Sequence, residues 1–152
     1  MNRINLITLG VRDIAASRKF YREGLGFETA ATEDGPGIVF FNNKGTRLAL
    51  YSLKEMTEET GEMVEEAPRG FSGVTLAYNA KSAEEVDIVM KQAAGAGGRI
   101  VKQPEWVFWG GYSGYFKDPD GHLWEVAYAD FWRFDEQDML IMESKEKLYV
   151  CI

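Results

Sequence analysis

The chain has a single cysteine, Cys151, in 152 residues, which excludes an internal disulfide framework. It has no run of 18 apolar residues, so no transmembrane helix and no membrane partner are expected. Met1-Asn2-Arg3-Ile4 leads straight into strand-like sequence, without the apolar stretch of a signal peptide. These absences set the expectation of a cytoplasmic protein. Excess positive charge is missing too. The net charge is −7, whereas phosphate backbones call for a basic surface, so nucleic acid is not an expected partner. A charge of this size serves solubility. What the chain does have is core-forming material: 45% hydrophobic and 13% aromatic residues. That is enough for one compact domain or two small modules, with aromatics to spare for a pocket.

The organisation is an internal repeat. Ile4 to Val11 reads as a strand, and Asp13 caps a helix from about Ile14 to Glu23 that Gly24 and Gly26 stop. Strand-like segments follow at Phe27–Thr32, Ile38–Asn42 and Thr46–Ser52. The second half repeats the order. Ser72 to Tyr78 reads as a strand, Ser82-Ala83-Glu84-Glu85 is a capping box, and Val86, Val89, Met90 and Ala93 keep helical spacing. Arg99–Lys102, a segment near Trp106–Trp109, Tyr112–Lys117 and His122–Tyr128 then read as strands. The expected fold is α+β: two β-α-β-β-β modules over residues 1–53 and 71–130. Residues 54–70 form an acidic linker, readable as a solvated connection or as a lid. Residues 131–152 form a C-terminal tail, in which Phe131 and Trp132 are expected to pack over a barrel end or a neighbouring subunit.

The stretch richest in chemistry is Lys117-Asp118-Pro119-Asp120-Gly121-His122-Leu123-Trp124-Glu125-Val126. Pro119 and Gly121 make a tight turn between apolar strands. Glu125 is then an acid inside an otherwise apolar strand, which is costly unless it is paired, protonated or bound to a cation. His122, three residues away, falls on the opposite face of the strand.

This hairpin, together with Val11-Arg12-Asp13, Phe20-Tyr21 and Leu25-Gly26-Phe27, resembles the vicinal oxygen chelate superfamily. That group includes glyoxalase I, extradiol dioxygenases and bleomycin-resistance proteins. The resemblance covers about residues 4–130 and implies sheets curled into an open cup. In metal-using members, four strand residues aim His, Glu or Gln at one divalent cation. Matched through the repeat, that ring falls on Leu6, Ala49, Gly73 and Glu125. Typical sites use at least three protein ligands, so no metal and no other cofactor is expected. A one-residue slip in either first strand would offer Asn5 or Ser72, neither a good substitute.

Strand alternation nominates the cup wall. On the last hairpin, position 114 is expected opposite 125 and 116 opposite 123, which puts Tyr112 and Phe116 beside Leu123 and Glu125. Leu6, Thr8, Phe40, Arg47, Ala49, Tyr51, Gly73 and Thr75 complete the wall, with Phe40 opposite Arg47. Trp106 and Trp109, beside Gly110-Gly111, read as packing or interface residues or as a stacking surface for a ligand. Glu125 reads either as a relic satisfied by Arg47, a threonine or water, or as a ligand anchor or general base.

The resulting expectation is a metal-independent, glyoxalase-like protein that binds a small organic molecule around Glu125, sequestering it as the resemblance to the drug-resistance branch implies, and that pairs as a homodimer. The alternatives are a metal-dependent glyoxalase-type lyase or isomerase, a dioxygenase, or a module whose aromatics serve only dimerisation. Whether there is catalysis is left open.

Overall fold

The computed structural model describes residues 2–31, 37–62 and 71–141. Strand β1 (Leu6–Val11) leads into helix α1 (Ile14–Lys19). Asp13 caps the helix by accepting the Ala16 N–H at 3.0 Å. The helix then widens into a π-helical turn over Phe20–Gly24, closed by the Leu25 N–H on the Phe20 carbonyl at 3.1 Å. The wider turn lets two successive side chains, Phe20 and Tyr21, both be buried. Strands β2 (Ile38–Phe40) and β3 (Arg47–Ser52) and helix α2 (Leu53–Thr60) complete the first half. The second half contains β4 (Thr75–Asn79), α3 (Ala83–Gly95), β5 (Arg99–Trp106), β6 (Tyr112–Lys117) and β7 (Leu123–Tyr128).

The strands form two sheets, ordered β1-β3-β2 and β4-β7-β6-β5. In each, the first strand pairs in parallel with the last, and the remaining pairs are antiparallel. This is the repeated α+β plan. One expected strand is irregular. Phe27–Ala31 makes no ladder and meets its neighbour through the Asn42 N–H on the Glu28 carbonyl at 2.7 Å. The Thr29 hydroxyl explains this: it accepts the Ala31 N–H at 3.1 Å and donates to the Phe40 carbonyl at 2.7 Å. Such side-chain bonds compete with strand pairing. β5 absorbs the segment expected near Trp106 but shifts register twice, on either side of Lys102. Pro104 lies in the second shift and has no N–H to give the ladder.

The start of the acidic linker is helix α2, capped by Ser52 and ended by Gly61 at φ +74°. Its Leu53 lies so close to Gly10 that a Cβ there would come within 2.6 Å of Leu53 Cδ1. The rest of the expected linker, residues 63–70, and the tail segment Leu148–Ile152 lie outside the described residues.

Both sheets turn one face to a single shared core. Leu9, Val11, Leu48 and Leu50 come from the first half, and Leu76, Phe116, Trp124 and Val126 from the second. Aromatic rings cross between them: Phe20 meets Phe116 and Tyr21 meets Trp124, with centroids 6.4 and 6.0 Å apart. The 118–122 turn is bolted into this junction. The Tyr21 hydroxyl donates to Asp118 Oδ2 at 2.6 Å and accepts Trp124 Nε1–H at 3.1 Å. Burial pushes the Tyr21 phenol well above its ordinary pKa, and the neighbouring Asp118 adds to the shift. Asp118 Oδ1 takes the N–H groups of Asp120 and His122 at 3.0 and 2.8 Å. Asp120 accepts the Ser17 hydroxyl at 2.5 Å and the Arg12 N–H at 2.8 Å. The His122 ring reaches the Gly10 carbonyl at 3.0 Å, so this histidine joins the two halves. A second clasp is Asp138, which bonds Lys44 of one half and Lys81 of the other. Hydrogen bonds to Lys44 and then Lys81 hold its carboxyl down at about 2.

Candidate functional site

The turn sets the register of the site. Gly121 donates to the Asp118 carbonyl at 3.0 Å, and Asp118 donates to the His122 carbonyl at 3.1 Å. The loop proper is therefore Pro119-Asp120-Gly121, with Gly121 at φ +97°. A three-residue loop ending in a left-handed glycine is a common hairpin connection. It places Lys117 opposite Leu123, Phe116 opposite Trp124 and Tyr115 opposite Glu125. The expected 114–125 pairing is off by one residue, and a slip of one sends every side chain to the other face. Phe116 and Tyr112 are thus removed from the Glu125 wall. Phe116 is buried in the core and stacks on Trp124, with centroids 6.1 Å apart. Tyr112 sits on the helix side and donates to Asp87 of α3 at 2.9 Å.

Tyr115 takes their place. Its hydroxyl donates to Glu125 Oε1 at 2.6 Å. Among the described residues, the other carboxylate oxygen of Glu125 has no hydrogen-bond partner. Partial burial, then the hydrogen bond and charge of Glu125, push the Tyr115 phenol up to about 12. It therefore stays protonated at neutral pH and holds the carboxylate in place as a fixed acceptor. Alternation puts Ser113, Lys117, Leu123 and Ala127 on the same outer face, with Thr75 and Ala77 from β4 and Lys102 from β5. Beside Tyr115 opens a cleft of about 430 Å³, walled by Trp106, Phe108, Ser113, Lys102 and Glu105. Trp106 and Phe108 are 64% and 93% exposed, so apolar surface here is open to a ligand.

Removing the Glu125 charge should release the phenol. In Glu125→Gln, the Tyr115 titration midpoint should fall from about 12 toward the ordinary tyrosine value near 10. NMR of ring-labelled tyrosine reads this directly. An unchanged midpoint would show that the carboxylate does not face the phenol.

The other expected wall residues divide. Leu6, Thr8, Phe40, Arg47, Ala49 and Tyr51 do share the outer face of the first sheet, though Phe40 pairs with Ala49 rather than Arg47. That two-residue difference keeps the face. Tyr51 donates to Glu59 of α2 at 3.1 Å, and the Arg47 guanidinium bonds the Asn43 carbonyl of its own hairpin. Arg47 is therefore not the partner of Glu125. Gly73 lies two residues before β4 at φ +80°, outside the sheet. Trp109 also lines the cleft, and it is held there by stacking on Trp132 at 5.9 Å. Because both inner faces meet in one core, the two outer faces of a chain point apart and do not close on each other.

The family's metal does not fit these residues. Leu6, Ala49 and Gly73 offer no side-chain donor, and Glu125 alone makes a weak site. Among the described residues no three His, Cys, Asp or Glu side chains converge to hold an ion.

Comparison with known proteins agrees with this architecture. The family model described as the Glyoxalase/Bleomycin resistance protein/Dioxygenase superfamily matches residues 3–126. A glyoxalase-related enzyme from Fulvimarina pelagi is 31% identical and superposes with a TM-score of 0.82, covering 93% of this chain and 99% of that one. A glyoxalase/bleomycin resistance protein/dioxygenase from Nocardioides is 28% identical with a TM-score of 0.72, covering 85% and 84%. A lactoylglutathione lyase from Agrobacterium tumefaciens, 24% identical with a TM-score of 0.61 over 88% and 98%, shares the fold. No curated protein matches the chain. Two like modules of this topology, and a matched region running from β1 through the Glu125 strand, place the chain in the glyoxalase/bleomycin resistance protein/dioxygenase superfamily.

Proposed function

We propose that the protein binds a small organic molecule without a metal, using Glu125 and Tyr115 as the polar anchor and the Trp106–Phe108 cleft as the apolar wall. One observation carries this reading. The ring position that keeps a carboxylate has that carboxylate oriented by a neutral phenol, while the other three ring positions have no donor. Apolar walls around a few fixed polar groups are the usual make-up of a small-molecule site. A carboxylate with one free oxygen favours ligands that bring an amine, amide or hydroxyl. Glu125 is also the group placed to take a proton from such a ligand, so any turnover would run through it. A metal-dependent lyase, isomerase or dioxygenase would need donors at positions 6, 49 and 73. Among the described residues no helix is long and apolar enough to cross a membrane.

The two outer faces of one chain are half-walls. Each is completed when the first-sheet face of one copy, with Leu6, Thr8 and Phe40, meets the Glu125 face of another. Leu6 and Phe40 are 41% and 54% exposed and need such cover. Light scattering should therefore give a dimer mass at micromolar concentration, and a monomer across that range would contradict the shared cup. A thermal-shift screen of amine-, amide- and hydroxyl-bearing small molecules tests the binding itself. True ligands raise the melting temperature of the wild type by mass action and lose that effect in Glu125→Gln. Ligands that stabilise both forms equally would contradict the anchor.

A further inference from the structure

A second cleft, of about 500 Å³, lies at the other end of the same sheet face, beside the 118–122 turn. Its lining includes Arg12, Arg99, Lys117, His122, Phe71 and Ser72. We infer that this cleft is a binding site for the phosphate group of a small molecule, held chiefly by Arg99 and Lys117.

The first ground is the register. Arg99 on β5 sits directly opposite Lys117 on β6, which puts their Cβ atoms about 5 Å apart. Like charges directly opposite across a ladder destabilise a sheet. Neither side chain makes a hydrogen bond or ion pair among the described residues. The chain as a whole carries a charge of −7, yet among the described residues no acid forms an ion pair with either of them.

The second ground is how the two acids in the lining are used. Asp118 is turned into the core junction and consumed by the Tyr21 hydroxyl and two N–H groups. Asp120 is consumed by the Ser17 hydroxyl and the Arg12 N–H. Both keep their negative charge, but their oxygens are turned to these donors and neither forms an ion pair with Arg99 or Lys117. Arg12 adds a third cation. Its guanidinium touches Asp120, with Nη1 3.7 Å from Oδ1, but the side chain is about half exposed and a guanidinium keeps further N–H donors.

The third ground is shape. A guanidinium offers a planar fork that matches phosphate oxygens, and a lysine adds a point charge beside it. The exposed ring of Phe71 gives the cleft one apolar wall for the body of the ligand. The inference does not rest on the role of Glu125, and inorganic phosphate alone is a sufficient probe.

The test is calorimetric titration of inorganic phosphate into the full chain, with sodium chloride holding ionic strength constant. Saturable binding of one phosphate per chain is expected. Arg99→Gln and Lys117→Gln should each weaken it at least tenfold, while Lys91→Gln, an exposed lysine on α3 outside the cleft, should leave it unchanged. Both tested side chains reach solvent, so the variants should fold, and a melt of each confirms that. Absence of saturable binding, or equal weakening in Lys91→Gln, would overturn the site. Malonate competing as tightly as phosphate would make it a carboxylate site and overturn the phosphate assignment.

Discussion

Asp118→Ala should lower the stability of the protein by about 3 kcal/mol, a large loss for a polar truncation at the junction of the two halves. Asp118 is 4% exposed and accepts three hydrogen bonds. Truncation leaves the Tyr21 hydroxyl proton buried without an acceptor, because the oxygen of that hydroxyl is already taken by Trp124 Nε1–H. Leaving one buried donor unmade costs about 1–3 kcal/mol. The N–H groups of Asp120 and His122 lie in a half-buried turn and recover part of their loss from water. For a chain of this size, ~3 kcal/mol corresponds to a fall in Tm of about 6–12 °C. Tyr21→Phe should cost less, about 2 kcal/mol, since it strands one acceptor and the indole N–H but keeps the ring packing. In a double-mutant cycle the two changes should be clearly non-additive, because they share one bond. A loss under about 1 kcal/mol in Asp118→Ala, read by chemical denaturation, would show that the clasp adds little.

Glu125→Gln is expected to act on affinity rather than on the fold. Glutamine keeps the shape and one acceptor oxygen for the Tyr115 hydroxyl, so stability should stay within about 0.5 kcal/mol of wild type or rise slightly as a charge leaves a half-buried site. For a cationic ligand, removing one member of the charge pair should cost about 2–4 kcal/mol of binding, or roughly 30- to 1,000-fold in Kd. Tyr115→Phe should cost less, about tenfold, because it frees the carboxylate to turn but leaves its charge. Calorimetry with any amine found by screening separates these outcomes. Equal affinity in wild type and Glu125→Gln would end the role of Glu125 as the anchor.

Much of the fold is legible in the chain because its signals are local. Asp13 and Ser82 cap helices where the sequence puts a short polar side chain before an apolar periodic run. The repeat of strand, helix and hairpins is likewise visible. What failed was register, which is set by a single residue. Pro119-Asp120-Gly121 forms a three-residue loop because Gly121 takes a left-handed conformation. That one residue moves Phe116 into the core and brings Tyr115 to Glu125. A Pro-Asp-Gly turn carries the signal for such a loop, so Tyr115 could have been found from sequence. The π-helical turn at Phe20–Gly24 and the stacking of Trp109 on Trp132 carry no comparable local mark. They depend on what the rest of the chain packs against them. The arrangement of the two sheets, inner faces together and outer faces apart, is also a tertiary choice that strand alternation cannot distinguish from its inverse.

Under the proposed function this member of the superfamily has a ligand cup without the metal ring, and Glu125 serves an organic ligand. Titration of Zn²⁺, Ni²⁺, Mn²⁺ and Fe²⁺ into purified wild type and Glu125→Ala tests it most directly. Leu6, Ala49 and Gly73 supply no donor, and structural and catalytic ions ordinarily need three or more protein ligands. The expected result is no stoichiometric binding that depends on Glu125. One equivalent of metal per chain in the wild type, lost in Glu125→Ala, would contradict the account.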